Sequence, residues 1–310
     1  MAGRLNVLKD HADWNPERFA FDVSCSAGTL AESNASNRDE PLWSIAGFVV
    51  AAAFGTSVIA ELLVLFLEQH HGRPTASQMP STPLSLVRGA LIVQLALATL
   101  IFVILRRHAK MRRRALLATK LPLVALLPCL GLILGLAPLA NDLGFRLAQA
   151  LHQSPDNARW LSQIVKRASV TEFLLLGIVL TILPAFVEEL LFRGLLMGAL
   201  SGGPYWLVLV LPAAAFGAFH MDIAQGMATF VLGLGFGFMR LATRSLRAPI
   251  AAHATYNLIV LMSMRWLVLQ SDAKPNQGLI LIFDGIVMSV LCVVGLQRYA
   301  ALRLTHPGPS

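Results

Sequence analysis

Residues 171–200 read TEFLLLGIVLTILPAFVEELLFRGLLMGAL, and the accommodation of Glu188, Glu189 and Arg193 in that run decides what the chain can be. The run is apolar and longer than the ~20 residues a bilayer crossing takes. An ionisable group at the centre of a membrane helix costs about 3 kcal/mol or more, so such groups pair, turn inward and serve a function. On a helix, Glu189 and Arg193 stand four apart and share a face, where they can pair. Glu188 points about 100° further round the axis and is poorly placed for the same guanidinium. The spacing predicts Glu189 neutralised locally and Glu188 left for work on another face.

The rest of the chain agrees with a membrane setting. Of its 310 residues, 56% are hydrophobic and 14% charged, against roughly 25% charged in soluble domains. The net charge of +8 does not point to nucleic acid. Its basic residues cluster as Arg106, Arg107, Lys110, Arg112, Arg113, Arg114 and Lys120 between two apolar spans, without interleaved aromatics. That is a topology signal facing anionic lipid. Cys25, Cys129 and Cys292 make no disulfide framework, and the last two read as small core residues. The first forty residues hold no apolar signal-peptide core.

The expected fold is all-α: a polytopic membrane protein of about eight transmembrane helices enclosing a polar cavity. Residues 1–41 read as a flexible polar cytoplasmic tail. Residues 42–170 hold three spans, near 43–68, 84–105 and 121–140, and a long outer loop. Within that loop, 143–151 and 160–165 suit short helices on the membrane surface. Residues 171–269 form a core of four spans, near 171–195, 204–221, 223–242 and 248–269. A final span near 277–297 and a short tail complete 270–310. An even count puts both termini on the side of the basic cluster, with Arg240, Arg244 and Arg247 in a loop there; the positive-inside rule makes that side cytoplasmic. Gly233, Gly235 and Gly237 resemble a phosphate loop only superficially, since no strand precedes them; small residues four apart permit close helix contact.

Further polar groups fall inside the apolar spans. His220 closes FGAFH, and His253 and Asn257 lie four apart in HATYN, on one helix face. Taken singly, a span-end His is more often an interfacial residue and an Asn more often a packing hydrogen bond. Taken together with Glu188, Glu189 and Arg193 they should converge on an interior site, because each is costly against lipid. Glu61, Gln94 and Asp284 each stand alone in their spans, and Glu61 and Asp284 read as structural or cavity-lining.

The set is a kit for hydrolysing a peptide bond. A carboxylate without an ion-pair partner in a low-dielectric site suits general-base work. His220 can share the water and pass a proton to the leaving amine, while His253 and Asn257 offer N–H donors to an oxyanion. Zinc is the competing account, with Glu188, His220 and His253 as ligands. The HExxH spacing is absent, and a metal-independent site without a required cofactor is the preferred reading.

These residues resemble the motifs of the CAAX-protease and bacteriocin-processing (CPBP, or ABI) family, which includes type II CAAX prenyl endopeptidases. EExxxR is Glu188 to Arg193, FxxxH is Phe216 to His220, and HxxxN is His253 to Asn257. The resemblance covers about 171–264. It implies that Glu188 and His220 activate water, that His253 and Asn257 form the oxyanion hole, and that Glu189 and Arg193 support them. An intramembrane endopeptidase acting on a membrane-associated peptide or protein is therefore the leading reading. A non-catalytic scaffold or immunity-type relative and a proton-coupled transporter are the alternatives. No nucleic acid is expected as a partner. The short loops suit a prokaryotic inner (plasma) membrane.

Overall fold

The computed structural model describes residues 42–70, 82–108, 121–153, 156–201, 203–266 and 275–305. The expected tail 1–41, Lys110 to Lys120 of the basic cluster, and Cys25 lie outside them. Nine helices are described: α1 Leu42–His70, α2 Pro83–Arg107, α3 Leu123–Ala150, α4 Asp156–Arg167, α5 Val170–Leu200, α6 Tyr205–Phe219, α7 Ile223–Thr243, α8 Arg247–Trp266 and α9 Pro275–Thr305. No strand occurs among the described residues.

Six of these helices, α1, α2, α3, α5, α7 and α9, contain segments long and apolar enough to cross a membrane, and the chain is an integral membrane protein. Among the described residues the other two of the expected eight runs fall short of that measure, for two physical reasons. Helix α6 has 15 residues, about 22 Å at 1.5 Å per residue, short of the ~30 Å hydrocarbon core. Helix α8 carries Arg247, His253, Asn257 and Arg265, and these dilute its apolarity. The helices that bring the motif histidines are the two that fall below a full apolar span.

Helix α5 lies against α1, α2, α6, α7 and α8. Its residues 191–200 are all buried, as expected of a helix that is apolar all round. It is not regular. Turns at Ile178–Ile182 and Leu190–Leu196 are π-helical and bracket the α-helical Leu183–Glu189. Pro184 accounts for the first: it has no N–H, and its ring crowds the carbonyl one turn back, so the ladder widens. Thr181 Oγ1 takes the Gly177 carbonyl in the same turn.

Two expectations about α3 and α4 change. The third span does not stop near 140 but runs to Ala150, absorbing the expected surface helix 143–151. The helix continues through Asn141, Asp142 and Gly144, and Gly144 packs on α7, where an added Cβ would lie 2.9 Å from the Ala224 carbonyl. The second of the two short helices expected in the loop is present and longer, Asp156–Arg167. Its end is closed by Arg265 of α8, whose guanidinium donates to the Val165 carbonyl at 2.9 Å.

Glycines set the closest approaches. Helices α6 and α7 form an antiparallel hairpin crossing at Gly217 and Gly226, where a Cβ on Gly217 would stand 2.6 Å from the Gly226 carbonyl. Gly233, Gly235 and Gly237 face three different neighbours: Arg193 and Ala213, then Leu136 of α3, then Leu209 of α6. Their role is close helix contact, as their spacing suggested. Glu61 and Asp284 are both exposed among the described residues, against the expectation that they are structural or cavity-lining. Each lies within a few residues of the end of its apolar stretch, Ile45–Val64 or Leu281–Leu302.

Replacing Gly217 by Val should push α6 off α7 and destabilise the protein by about 1–3 kcal/mol. Gly55→Ala, where nothing lies within 4 Å of the new Cβ, should leave stability unchanged or raise it slightly. Thermal unfolding in detergent compares the two; equal midpoints would contradict the close crossing.

Candidate active site

Helix α5 delivers both carboxylates to the interior. Glu189 and Arg193 are 0% and 1% exposed, and Glu188 is 8% exposed. The expected i,i+4 pair forms, with Arg193 Nη1 donating to Glu189 Oε1 at 2.8 Å. The same guanidinium donates through Nη2 to the Gly233 carbonyl of α7 at 2.9 Å. It reaches that far because Gly233 has no side chain: a Cβ there would lie 3.1 Å from Nη2. Phe216 and Phe236 face the guanidinium at 4.7 and 5.2 Å from their ring centroids. Cation–π contact of this kind contributes about 1–2 kcal/mol where water is excluded.

His253 of α8 sits between the two carboxylates. Its Nδ1 lies 2.9 Å from Glu189 Oε1, the same oxygen that takes Arg193. A carboxylate only accepts, so Nδ1 carries the proton and donates. Its Nε2 then faces Glu188 Oε2 at 3.9 Å. The Phe236 ring stacks on the imidazole, centroids 4.9 Å apart and planes at 19°. The helical-face argument therefore holds for Arg193 and only in part for the histidine. Glu188 and Glu189 do part company over the guanidinium, yet one imidazole with nitrogens on two sides touches both.

His220 stands at the end of α6. Its Nδ1 pairs with the Phe216 carbonyl one turn back at 3.0 Å, and among the described residues it makes no ion pair with Glu188. The turn that follows is tight. Met221 adopts a left-handed backbone, φ 52°, and Asp222 caps α7 by accepting the Gln225 N–H at 2.7 Å. The Phe216 ring packs edge-on against both imidazoles, 5.1 Å from His220 and 5.6 Å from His253. Asn257, one turn beyond His253, is half-buried and has no hydrogen-bond partner among the described residues. Beside it, Tyr256 donates to Asn141 Oδ1 of α3 at 3.1 Å.

Two residues near the carboxylates went unassigned from sequence. Gln94 of α2 does not stand alone: its Nε2 lies 3.4 Å from Glu188 Oε1. Arg240 is not a loop residue facing lipid headgroups. It is buried in α7, with Nε 3.5 Å from the Arg193 carbonyl. An arginine three residues from the end of an apolar run reads as a flank, and only the packing of α7 on the second π turn draws it inside.

What the structure shows here is a packed polar cluster of two carboxylates, a guanidinium, an imidazole and an amide from three helices. Among the described residues no group of three His, Cys, Asp or Glu side chains is arranged to hold a metal ion. Residues 170–259, which contain the EExxxR, FxxxH and HxxxN motifs whole, match the family model described as type II CAAX prenyl endopeptidase Rce1-like. This segment is similar to the Rce1-like endopeptidases. It runs from the first turn of α5 into α8, and α1 to α4 and α9 lie outside it. No curated protein and no solved structure matches the chain.

Arg193→Met strands Glu189 as an uncompensated buried charge and should destabilise the Rce1-like domain by about 3–5 kcal/mol. Adding Glu189→Gln should recover part of that loss. Arg193→Lys should not restore the parent, since an ammonium cannot reproduce the planar fork that reaches both α5 and α7. Thermal unfolding of the three purified variants checks this; a stable Arg193→Met single variant contradicts it.

Proposed function

We propose that the protein is an intramembrane endopeptidase that hydrolyses a peptide bond of a membrane-associated peptide or protein, using Glu188 as general base. The observation that carries this reading is the state of Glu188. It is a buried carboxylate with no guanidinium of its own, touched by a neutral amide on one oxygen and facing an imidazole on the other. A purely structural carboxylate would be expected to have an Arg or Lys, as Glu189 does. The similarity to type II CAAX prenyl endopeptidases supports the reaction class and suggests prenylated CAAX-terminated chains as first substrates to try.

Glu188 takes a proton from a water whose oxygen attacks the scissile carbonyl. The carbonyl oxygen becomes an oxyanion, for which Asn257 Nδ2 and His253 Nε2 are the donors. With Nδ1–H given to Glu189, only a second proton on Nε2 lets this ring donate; Arg193 and that imidazolium then balance the two carboxylates. Collapse of the tetrahedral intermediate breaks the C–N bond, and the amine leaves with a proton from Glu188 or from His220. Glu189 and Arg193 hold the His253 ring in place. Glu188, His220 and His253 would be the ligands of any zinc. With each Nδ1 bonded, Nε2 is the nitrogen both histidines would offer, but among the described residues these three side chains do not gather into a three-ligand group, and the reading kept here is metal-independent. Both termini are placed in the cytoplasm on the basic-residue distribution, in a prokaryotic inner membrane.

In detergent, the wild-type protein should cleave members of a membrane-anchored peptide library that includes farnesylated CAAX peptides. Glu188→Ala and His220→Ala should abolish cleavage. Asn257→Ala should lower kcat about 10²- to 10³-fold, the loss typical of one oxyanion donor. A zinc chelator should leave the rate unchanged. Undiminished cleavage by Glu188→Ala removes the proposal, and loss of activity on chelation that zinc restores moves it to metal chemistry.

A further inference from the structure

We infer that Gln94 is a positioning residue for Glu188, contributed by a helix outside the Rce1-like segment; this rests on the general-base reading above. Gln94 lies in the middle of α2 and is buried. Its Nε2 donates to Glu188 Oε1 at 3.4 Å, while its own Oε1 is buried with no hydrogen-bond partner. The amide orientation follows from chemistry, because a carboxylate accepts and only the NH2 end can face it.

The orphan oxygen is what makes Gln94 more than a packing residue. A buried acceptor left unmatched costs about 1–3 kcal/mol, and an apolar side chain of similar shape would avoid that cost in a helix as apolar as α2. Thr99, the other polar group in the middle of α2, meets its need within its own helix, bonding the Leu95 carbonyl at 2.8 Å. Gln94 instead spends its donor on the one carboxylate that Arg193 leaves alone, and keeps an acceptor beside it.

Two consequences follow for the reaction. The Nε2–H bond holds the Glu188 carboxylate in one orientation without neutralising it, as a Lys or Arg would. The Gln94 Oε1, closed to solvent in this structure, is the acceptor that a water admitted with the substrate would meet with its second hydrogen, its first passing to Glu188. The water is then held at two points, with a lone pair left for the carbonyl carbon. Fixing a nucleophile in this way acts on the chemical step and hardly on substrate affinity.

Gln94→Met keeps the volume and removes both polar atoms; Gln94→Asn keeps the amide and withdraws it by one methylene. Each is purified in detergent and assayed on a library peptide that the wild type cleaves, beside Glu188→Ala. The expected result is a fall of about 10- to 100-fold in kcat for both variants. KM should stay within about twofold, and the Met variant should unfold at the same temperature as the parent or a higher one. A Gln94→Met protein with wild-type kcat, beside an inactive Glu188→Ala, overturns the positioning role and leaves the general base standing. An active Glu188→Ala overturns the reading on which both rest. If Gln94→Met does not fold, Gln94→Asn decides: wild-type kcat there overturns the role, and a selective loss of kcat sustains it.

Discussion

The structure depends on one guanidinium. Arg193 is enclosed by helices, donates to Glu189 on its own helix and to the Gly233 carbonyl on α7, and lies against two phenylalanine rings. Every one of those contacts presumes the others. Without Gly233 the side chain would meet a Cβ; without Glu189 it would be a bare buried cation; without the rings its remaining face would meet nothing favourable. Glu189 in turn gives the same oxygen to His253, so the charge that anchors α5 to α7 also orients the imidazole of α8. Two atoms of this pair, Glu189 Oε2 and Arg193 Nε, stay buried and unpartnered. The ion pair is therefore held for its geometry as much as for its energy, since buried pairs seldom outdo apolar packing in stability.

The second constraint is the length of α6. A 15-residue helix that ends in a left-handed turn places an imidazole at a hairpin bend. The close crossing at Gly217 and Gly226 holds that hairpin shut, a few residues before His220. The π turns do a related service in α5. They flank the Glu188–Glu189 pair, and Pro184 supplies the cause of the first. Irregularity thus gathers around the two buried carboxylates, while α1, α2 and α9 remain long and regular.

Much of this was legible before any coordinates. Eight apolar runs became helices, because apolar runs of this length have few other ways to satisfy their backbone in lipid. The Glu189–Arg193 pair followed from a four-residue spacing, and three short motifs marked the Rce1-like segment. Helix ends were less legible. Continuation of α3 to Ala150 through a stretch with Asn141, Asp142 and Arg146 looks like a membrane exit in sequence, and is instead a helix lying against α7 and α8. The exposure of Glu61 and Asp284 was hidden for a similar reason: composition tells that a helix carries a carboxylate, not which way the helix is turned.

By itself, then, the sequence determined a helical membrane protein, the local pairing of one glutamate with one arginine, and the side chains that carry the motif. These are matters of periodicity and of the cost of charge in lipid, which act within a few turns of chain. Tertiary structure alone decided that His253 would touch both carboxylates, that Arg240 would leave the surface, and that Gln94 would cross from α2 to Glu188. Those contacts join residues 47 to 94 positions apart, and they depend on the rotation of each helix about its axis. That rotation is set by how glycines, rings and neighbouring helices fit, which no spacing along a single chain encodes.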